Sequence, residues 1–381
     1  MKLLYYMPLA YGGIADYAHE QANALSELGV DVDFLTSVDF DRGKERKYRI
    51  IPKLFSNNEQ KNALLSKLTT TLTLIANHLI LAHHIKANGY RCILFGSFAE
   101  YLAPIWFFLF KRMKIHRVKF AAVVHDPVRD YVVGPLWWHQ KSIAAAYSFL
   151  DYAYVHYPIE LNTYDEFLDL KTEVIPFAAY SSFSPRLEGR GAIREELGIP
   201  VEAVVLLAFG HVRDNKNLDL VISAIECHES LYLIVAGKEL GHGQKGFSYY
   251  QNLAKKIGVG GRCRWINEFI SEDMVAVLHN ACDLVVLTYS ESFRSASASL
   301  NTAIHFRKPC IASAGESNLK YVVNKYKLGI WVEPDDEKAI RDGLLLWMNS
   351  LFEPQFDKYY EENSWENNAG IIARDLMLIE S

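Results

Sequence analysis

The feature that most constrains this fold is an alternation of short apolar runs with helical segments, which stops once and then restarts. Leu3 to Leu9 is apolar, Tyr11-Gly12-Gly13 reads as a tight loop, and Ile14, Tyr17, Ala18, Gln21, Ala22 and Leu25 recur at helical spacing. Gly29 closes that helix, and Val30 to Leu35 alternates apolar residues with Asp31 and Asp33 as a strand does. Further strands are predicted at Cys92–Phe95, Phe120–Val124 and Tyr152–Val155, with helices over 60–88, 99–112 and 138–149. After Ile175-Pro176-Phe177 the pattern stops in a run of loop formers, Ser181, Ser182, Ser184, Pro185 and Gly189. It resumes with strands near 203–209, 231–236, 262–266, 283–289, 309–313 and 329–332. The expected class is α/β: two Rossmann-like, doubly wound domains, 1–176 and 177–356, facing across a cleft.

Composition narrows the function. With 381 residues, 50% hydrophobic and 22% charged, each half can bury its own core. A net charge of −5 provides no field to gather nucleic acid. Five scattered cysteines without a C-x-x-C pair read as reduced thiols of a cytoplasmic protein. The start lacks the pattern of a signal peptide, and no apolar window reaches the length of a membrane span, so any membrane contact is expected to be peripheral. One segment suits such a contact at the inner face of the plasma membrane: Trp106-Phe107-Phe108-Leu109-Phe110 followed by Lys111, Arg112, Lys114, Arg117 and Lys119. A core helix followed by a solvated basic loop explains it equally well.

Four segments carry chemistry. Gly12-Gly13, between a strand and its helix, lets a ligand approach backbone N–H groups, although a structural turn needs the same residues. It is not the G-x-G-x-x-G of a nicotinamide dinucleotide site. In the second half, the strand ending at Phe209 runs into Gly210-His211-Val212-Arg213-Asp214-Asn215-Lys216. Arg213 can offer a planar fork and Lys216 a point charge to a diphosphate, the alternative being two solvated loop cations. The strand ending at Tyr289 is followed by Ser290, Glu291, Ser292, Phe293, Arg294, Ser295, Ala296, Ser297, Ala298 and Ser299, whose small residues expose amides at a helix start beside one carboxylate. In the first half an apolar strand ends in Val124-His125-Asp126, placing His125 as a polar contact or proton handler, or as a structural histidine. Neither the histidines nor Asp31-Val32-Asp33 and Asp39-Phe40-Asp41 have a convincing metal spacing, and no catalytic metal is expected.

In their order along the chain, these pieces resemble the retaining glycosyltransferases of family 4, an exopolysaccharide- or lipopolysaccharide-type group with the GT-B fold. The resemblance rests on Gly12-Gly13, Val124-His125-Asp126, Gly210-His211-Val212-Arg213-x-x-Lys216, Val235-Ala236-Gly237, Glu291 onward to Lys308-Pro309, and Ser364-Trp365-Glu366. It implies that Arg213 and Lys216 bind the donor diphosphate, that Glu291 reaches the sugar hydroxyls, and that His125 positions the sugar. It also implies that backbone near Phe269-Ile270 holds uracil, and that a terminal helix, 357–381, packs back on the first domain. The family pairs its first Glu with a second eight residues on, where this chain has Ser299; counting back from Lys308-Pro309 puts Thr302 there instead. Arg294 replaces a small glycine. The implied activity is metal-independent transfer of a hexose, glucose from UDP-glucose, to a polysaccharide or lipid-linked oligosaccharide. A nucleotide-sugar-binding protein without transfer, or a sugar-nucleotide epimerase, would share these features.

Overall fold

The computed structural model describes residues 2–40, 45–56, 63–97, 100–129, 132–165, 168–179, 190–239, 243–294 and 296–378. The chain forms two compact units, Met1–Ala178 with Glu362–Ser381, and Ala179–Glu361. The loop-forming run from Ser181 to Gly189 lies outside the described residues.

The first unit holds a parallel sheet of seven strands: β1 (Lys2–Met7), β2 (Asp31–Ser37), β3 (Arg49–Leu54), β4 (Cys92–Phe95), β5 (Lys119–Val123), β6 (Tyr152–Val155) and β7 (Lys171–Val174), in the order β3-β2-β1-β4-β5-β6-β7. The central strands are buried beyond their first residues and β1 reads KLLYYM, as a strand covered on both faces should. Helices Ala63–Asn88, Ala103–Ile115 and Leu136–Tyr147 share one core with the sheet through Leu81, Trp106, Phe110 and Ile143. Asp33 of β2 is fully buried and accepts from Arg49 Nε at 2.6 Å, from Lys2 and from the Tyr90 hydroxyl. The Asp31-Val32-Asp33 alternation thus ends in an ion cluster that ties β1, β2 and β3 to the approach of β4.

The C-terminal segment corrects the single helix expected over 357–381. Phe356–Glu362 is one helix, packed in the second unit with Tyr359 and Tyr360 against Asn301 and Ile304. Trp365–Asp375, capped by Ser364, is another, in the first unit. There Asn368 is buried, donating to the Tyr17 hydroxyl and to the Pro176 carbonyl, both at 2.7 Å, and accepting from Gln21.

The second unit holds six parallel strands: β8 (Val204–Phe209), β9 (Leu231–Ala236), β10 (Cys263–Ile266), β11 (Leu284–Thr288), β12 (Cys310–Ser313) and β13 (Gly329–Trp331), in the order β10-β9-β8-β11-β12-β13. Separate cores cover its two faces. In each unit the strand order reverses beside the first strand, between β1 and β4 and between β8 and β11. Ligands of open parallel sheets bind outside the carboxyl ends at such a reversal.

Candidate functional site

In the second unit the reversal is occupied by the residues that the sequence singles out. β8 ends at Phe209, and Gly210 turns with φ +91, a conformation other residues rarely adopt; its N–H donates to the Ala236 carbonyl at 2.9 Å. Gly237, after β9, lies so close that a Cβ there would overlap the Gly210 carbonyl. Lys216 returns from the next turn and donates from Nζ to the Phe209 carbonyl at 2.9 Å, while Arg213 stays exposed at the mouth. The pocket is walled by Gly210, Arg213, Lys216 and Val235 on one side and by Val286, Thr288 and Tyr289 of the β11 end on the other.

The loops are tied together by hydrogen bonds. Thr288 Oγ1 donates to the Lys216 carbonyl at 3.1 Å, and the Ser290 N–H to the Asn215 carbonyl at 2.8 Å. Asp335, beyond β13, accepts from Asn217 Nδ2 at 2.8 Å and from the Glu291 N–H at 2.9 Å. Tyr289 is buried, stacked on Phe293 with ring centroids 4.0 Å apart, its hydroxyl 3.1 Å from Ser297 Oγ.

The electrostatics favour an anion. Burial, then the neighbouring Arg213, pushes the Lys216 ammonium down to about 8. His211 is lowered by burial and by the charges of Arg213, Lys216 and Lys238. Four basic side chains therefore converge at the carboxyl ends of β8 and β9, a field that a diphosphate would neutralise.

Glu291 and Arg294 sit differently from the pattern they resemble. The Glu291 carboxylate is exposed, and Arg294 donates to its carbonyl and, at 3.3 Å, to Oε1. The guanidinium thus turns onto Glu291 and lies where a Cβ on Gly315 would fall. Ser297 caps helix Ala298–His305 by accepting from the Leu300 N–H, so this amide is satisfied by the cap. Ser299 Oγ lies 3.4 Å from the Phe209 carbonyl, beside Gly210, whereas buried Thr302 turns its hydroxyl back onto Ala298. Of the two, Ser299 is the one beside Gly210. Ala296 and Ala298 belong to the same loop and helix start, and Ser295 lies outside the described residues. Phe269 and Ile270 follow β10, two strands from β8, with Phe269 exposed and Ile270 packed at the core edge.

The remaining candidates lie in the first unit. Gly12 and Gly13 open helix Gly13–Glu27 after β1. His125 lines a cavity of about 110 Å³ with Ile14, Ser97, Glu100, Tyr101 and Arg129. Its Nε2 lies 3.3 Å from the Gly96 carbonyl and its Nδ1 3.3 Å from His156 Nε2, and its ring meets Tyr17 edge-on. Burial lowers His125 to about 4 and, together with His125, lowers His156 to about 3. A neutral ring with both nitrogens engaged suits positioning better than proton transfer.

Asp335 and Lys238 were not found by sequence reasoning. Lys238 had one available signal, its place directly after a strand-ending glycine; Asp335 had none nearby, because it reaches Glu291 only through the strand order. Among the described residues, no group of three His, Cys, Asp or Glu is placed to hold a metal ion.

Residues 189–364 match the family model described as glycosyl transferases group 1. Over its whole length the chain superimposes on HepE of Anabaena, solved with UDP and glucose, with a TM-score of 0.71, 14% identity and 100% coverage of both chains. Sucrose-phosphate synthase of Thermosynechococcus elongatus gives 0.68, with 17% identity and 99% of both chains covered. The fold is GT-B. In sequence, this GT-B chain is 28% identical to a D-inositol 3-phosphate glycosyltransferase of Corynebacterium efficiens over 39% of its own length, and the match spans 39% of that relative.

Proposed function

We propose that this chain is a retaining glycosyltransferase that moves a hexose, glucose from UDP-glucose, to a saccharide or lipid-linked oligosaccharide acceptor without a metal. The observation that carries the reading is the crevice between β8 and β11, where Arg213, Lys216, His211 and Lys238 gather round backbone freed by Gly210. The group 1 match over 189–364 and the UDP complex of the Anabaena relative support it.

The chemistry this asks of the side chains is electrostatic. As the bond from the anomeric carbon to the phosphate oxygen breaks, the electron pair leaves with UDP, and Arg213 and Lys216 stabilise the charge that develops there. The acceptor hydroxyl forms the new bond on the same face, and its proton passes to the departing phosphate. Glu291 would accept hydrogen bonds from sugar hydroxyls once it exchanges Arg294 for them.

A second reading, nucleotide-sugar binding without transfer, draws on the Glu291–Arg294 contact and on Ser299 standing eight residues after Glu291, where the family it resembles has a second Glu. Incubating the protein with UDP-glucose and following UDP release, with and without a pool of saccharide and lipid-linked acceptors, separates the two. The transferase reading expects slow release alone and faster release with acceptor; tight binding with no release supports the second.

A further inference from the structure

The transfer chemistry leaves unused a groove in the first unit, beside β7 at the edge of the sheet. One wall is helix Leu136–Tyr147. Its Ile143, Ala146 and Tyr147 belong to the core, while Trp137, Gln140, Lys141 and Ala144, at spacings of three, four and seven, line the groove. The other wall is residues 159–164 of the connection between β6 and β7, and Leu161, Leu168 and Leu170, which rest on the core, supply an apolar lining. The groove is roomy, about 1140 Å³, where sites that enclose one drug-sized ligand have roughly 300–1,000 Å³. Smaller spaces adjoin it in a row. Glu160, Asn162 and Tyr164 line both the groove and a cavity of about 280 Å³, and Arg129 lines both that cavity and the one that holds His125.

Two large rings line this groove without being buried: Trp137 is 63% exposed and Tyr164 43%. Tyr164 adopts φ +54, a conformation rare for a bulky residue, with its N–H donating to Asn162 Oδ1 at 3.2 Å and its ring edge-on to His139 at 6.3 Å between centroids. A ring held in that way, half out of the core, is placed for a ligand and not for packing. Among the polar lining residues, the amides Gln140 and Asn162 and the hydroxyl of Thr163 can each both donate and accept. Lys141 stands against two carboxylates, Glu160 and Asp165, so the described lining offers no cationic field to a phosphate or a nucleic acid. The ligand that matches is elongate and uncharged, with apolar C–H faces for the rings and many hydroxyls for the amides and carboxylates.

We propose that this groove binds a linear oligosaccharide, its sugar rings stacked on Trp137 and Tyr164 and its hydroxyls bonded to Gln140, Asn162 and Glu160. The row of spaces that ends at His125 gives the chain a direction. On the transferase reading, on which this role rests, the groove holds the part of an acceptor remote from the hydroxyl that reacts, and the acceptor is a chain of several sugars, not a single one. Saccharide binding itself rests on the groove and not on the donor site, so either can fail alone.

The test is an array of immobilised linear oligosaccharides of neutral hexoses and N-acetylhexosamines, from disaccharide to octasaccharide, with monosaccharides and a set of peptides beside them, probed with the full chain and no nucleotide present. Binding to the oligosaccharides that strengthens with chain length is expected. Trp137→Ala should weaken it by about tenfold or more, since aromatic anchors carry much of the energy of such contacts, and Tyr164→Ala should act in the same direction. Trp137→Tyr, which keeps a ring, should retain most of the binding. Trp137 is mostly exposed, so both of its variants should melt at the wild-type temperature. Absence of saccharide binding, binding undiminished in Trp137→Ala, or a preference for the peptides would overturn the proposal.

Discussion

At the residue scale, the decisive group is Lys216. Its ammonium is seated on the Phe209 carbonyl, and burial and Arg213 bring it down to about 8. A bound diphosphate would favour the charged form and raise it again, so UDP affinity should fall as the pH passes about 8. Lys216→Arg, whose charge persists at that pH, should flatten the profile even if it weakens binding; isothermal titration across pH reads both. A wild-type affinity that does not change between pH 7 and 9 would separate Lys216 from the ligand. Arg213 and Lys216 were legible in the sequence because two cations follow a strand end and a glycine. Asp335 was not, since the sheet brings it to Glu291 from a strand two places away.

At the scale of elements, the central strands announced themselves by unbroken apolar runs, and Cys92–Phe95, Tyr152–Val155 and Leu231–Ala236 match the expectation residue for residue. The edges did not. β3 reads RIIPKL, with a proline and mostly partial exposure, and β7 reads KTEV with little burial, so neither shows a core signal. What holds β3 is the side-chain cluster on Asp33. Burial alone would raise that carboxyl, but the bonds from Arg49, Lys2 and Tyr90 override it and hold it down to about 2. A depressed carboxyl contributes stability above its ordinary 3.8 and loses it as the pH falls toward 2. Asp33→Asn should therefore lower stability at neutral pH by roughly 1–3 kcal/mol and flatten the acid limb, as urea unfolding at pH 7 and pH 3 would record. An unchanged acid limb would mean that the cluster contributes little. The β8–β9 turn gives another check. Gly237→Ala must displace the Gly210 carbonyl, and UDP affinity should drop about tenfold, equivalent to ~1.4 kcal/mol.

For the whole molecule, two doubly wound sheets were readable because their period repeats on either side of one break. The expected α/β, GT-B class is the fold observed. The tail was harder to read: the helix break near Asn363 carries no glycine or proline, only the Ser364 cap that begins the next helix. The candidate site was legible where it depends on local sequence, at Gly210, Arg213 and Lys216. It was obscure where it depends on how loops meet, as in the Arg294 contact with Glu291 and the approach of Ser299 to the Phe209 carbonyl while Thr302 turns back onto Ala298. Both sets of residues converge on one claim, that the β8–β11 reversal binds a nucleoside diphosphate. The most direct measurement is calorimetric titration of UDP into the wild-type chain and into Arg213→Ala with Lys216→Ala. Saturable binding by the wild type, reduced at least about a hundredfold in the double variant, is the expected result. Equal affinity in both proteins, or none in the wild type, would contradict it.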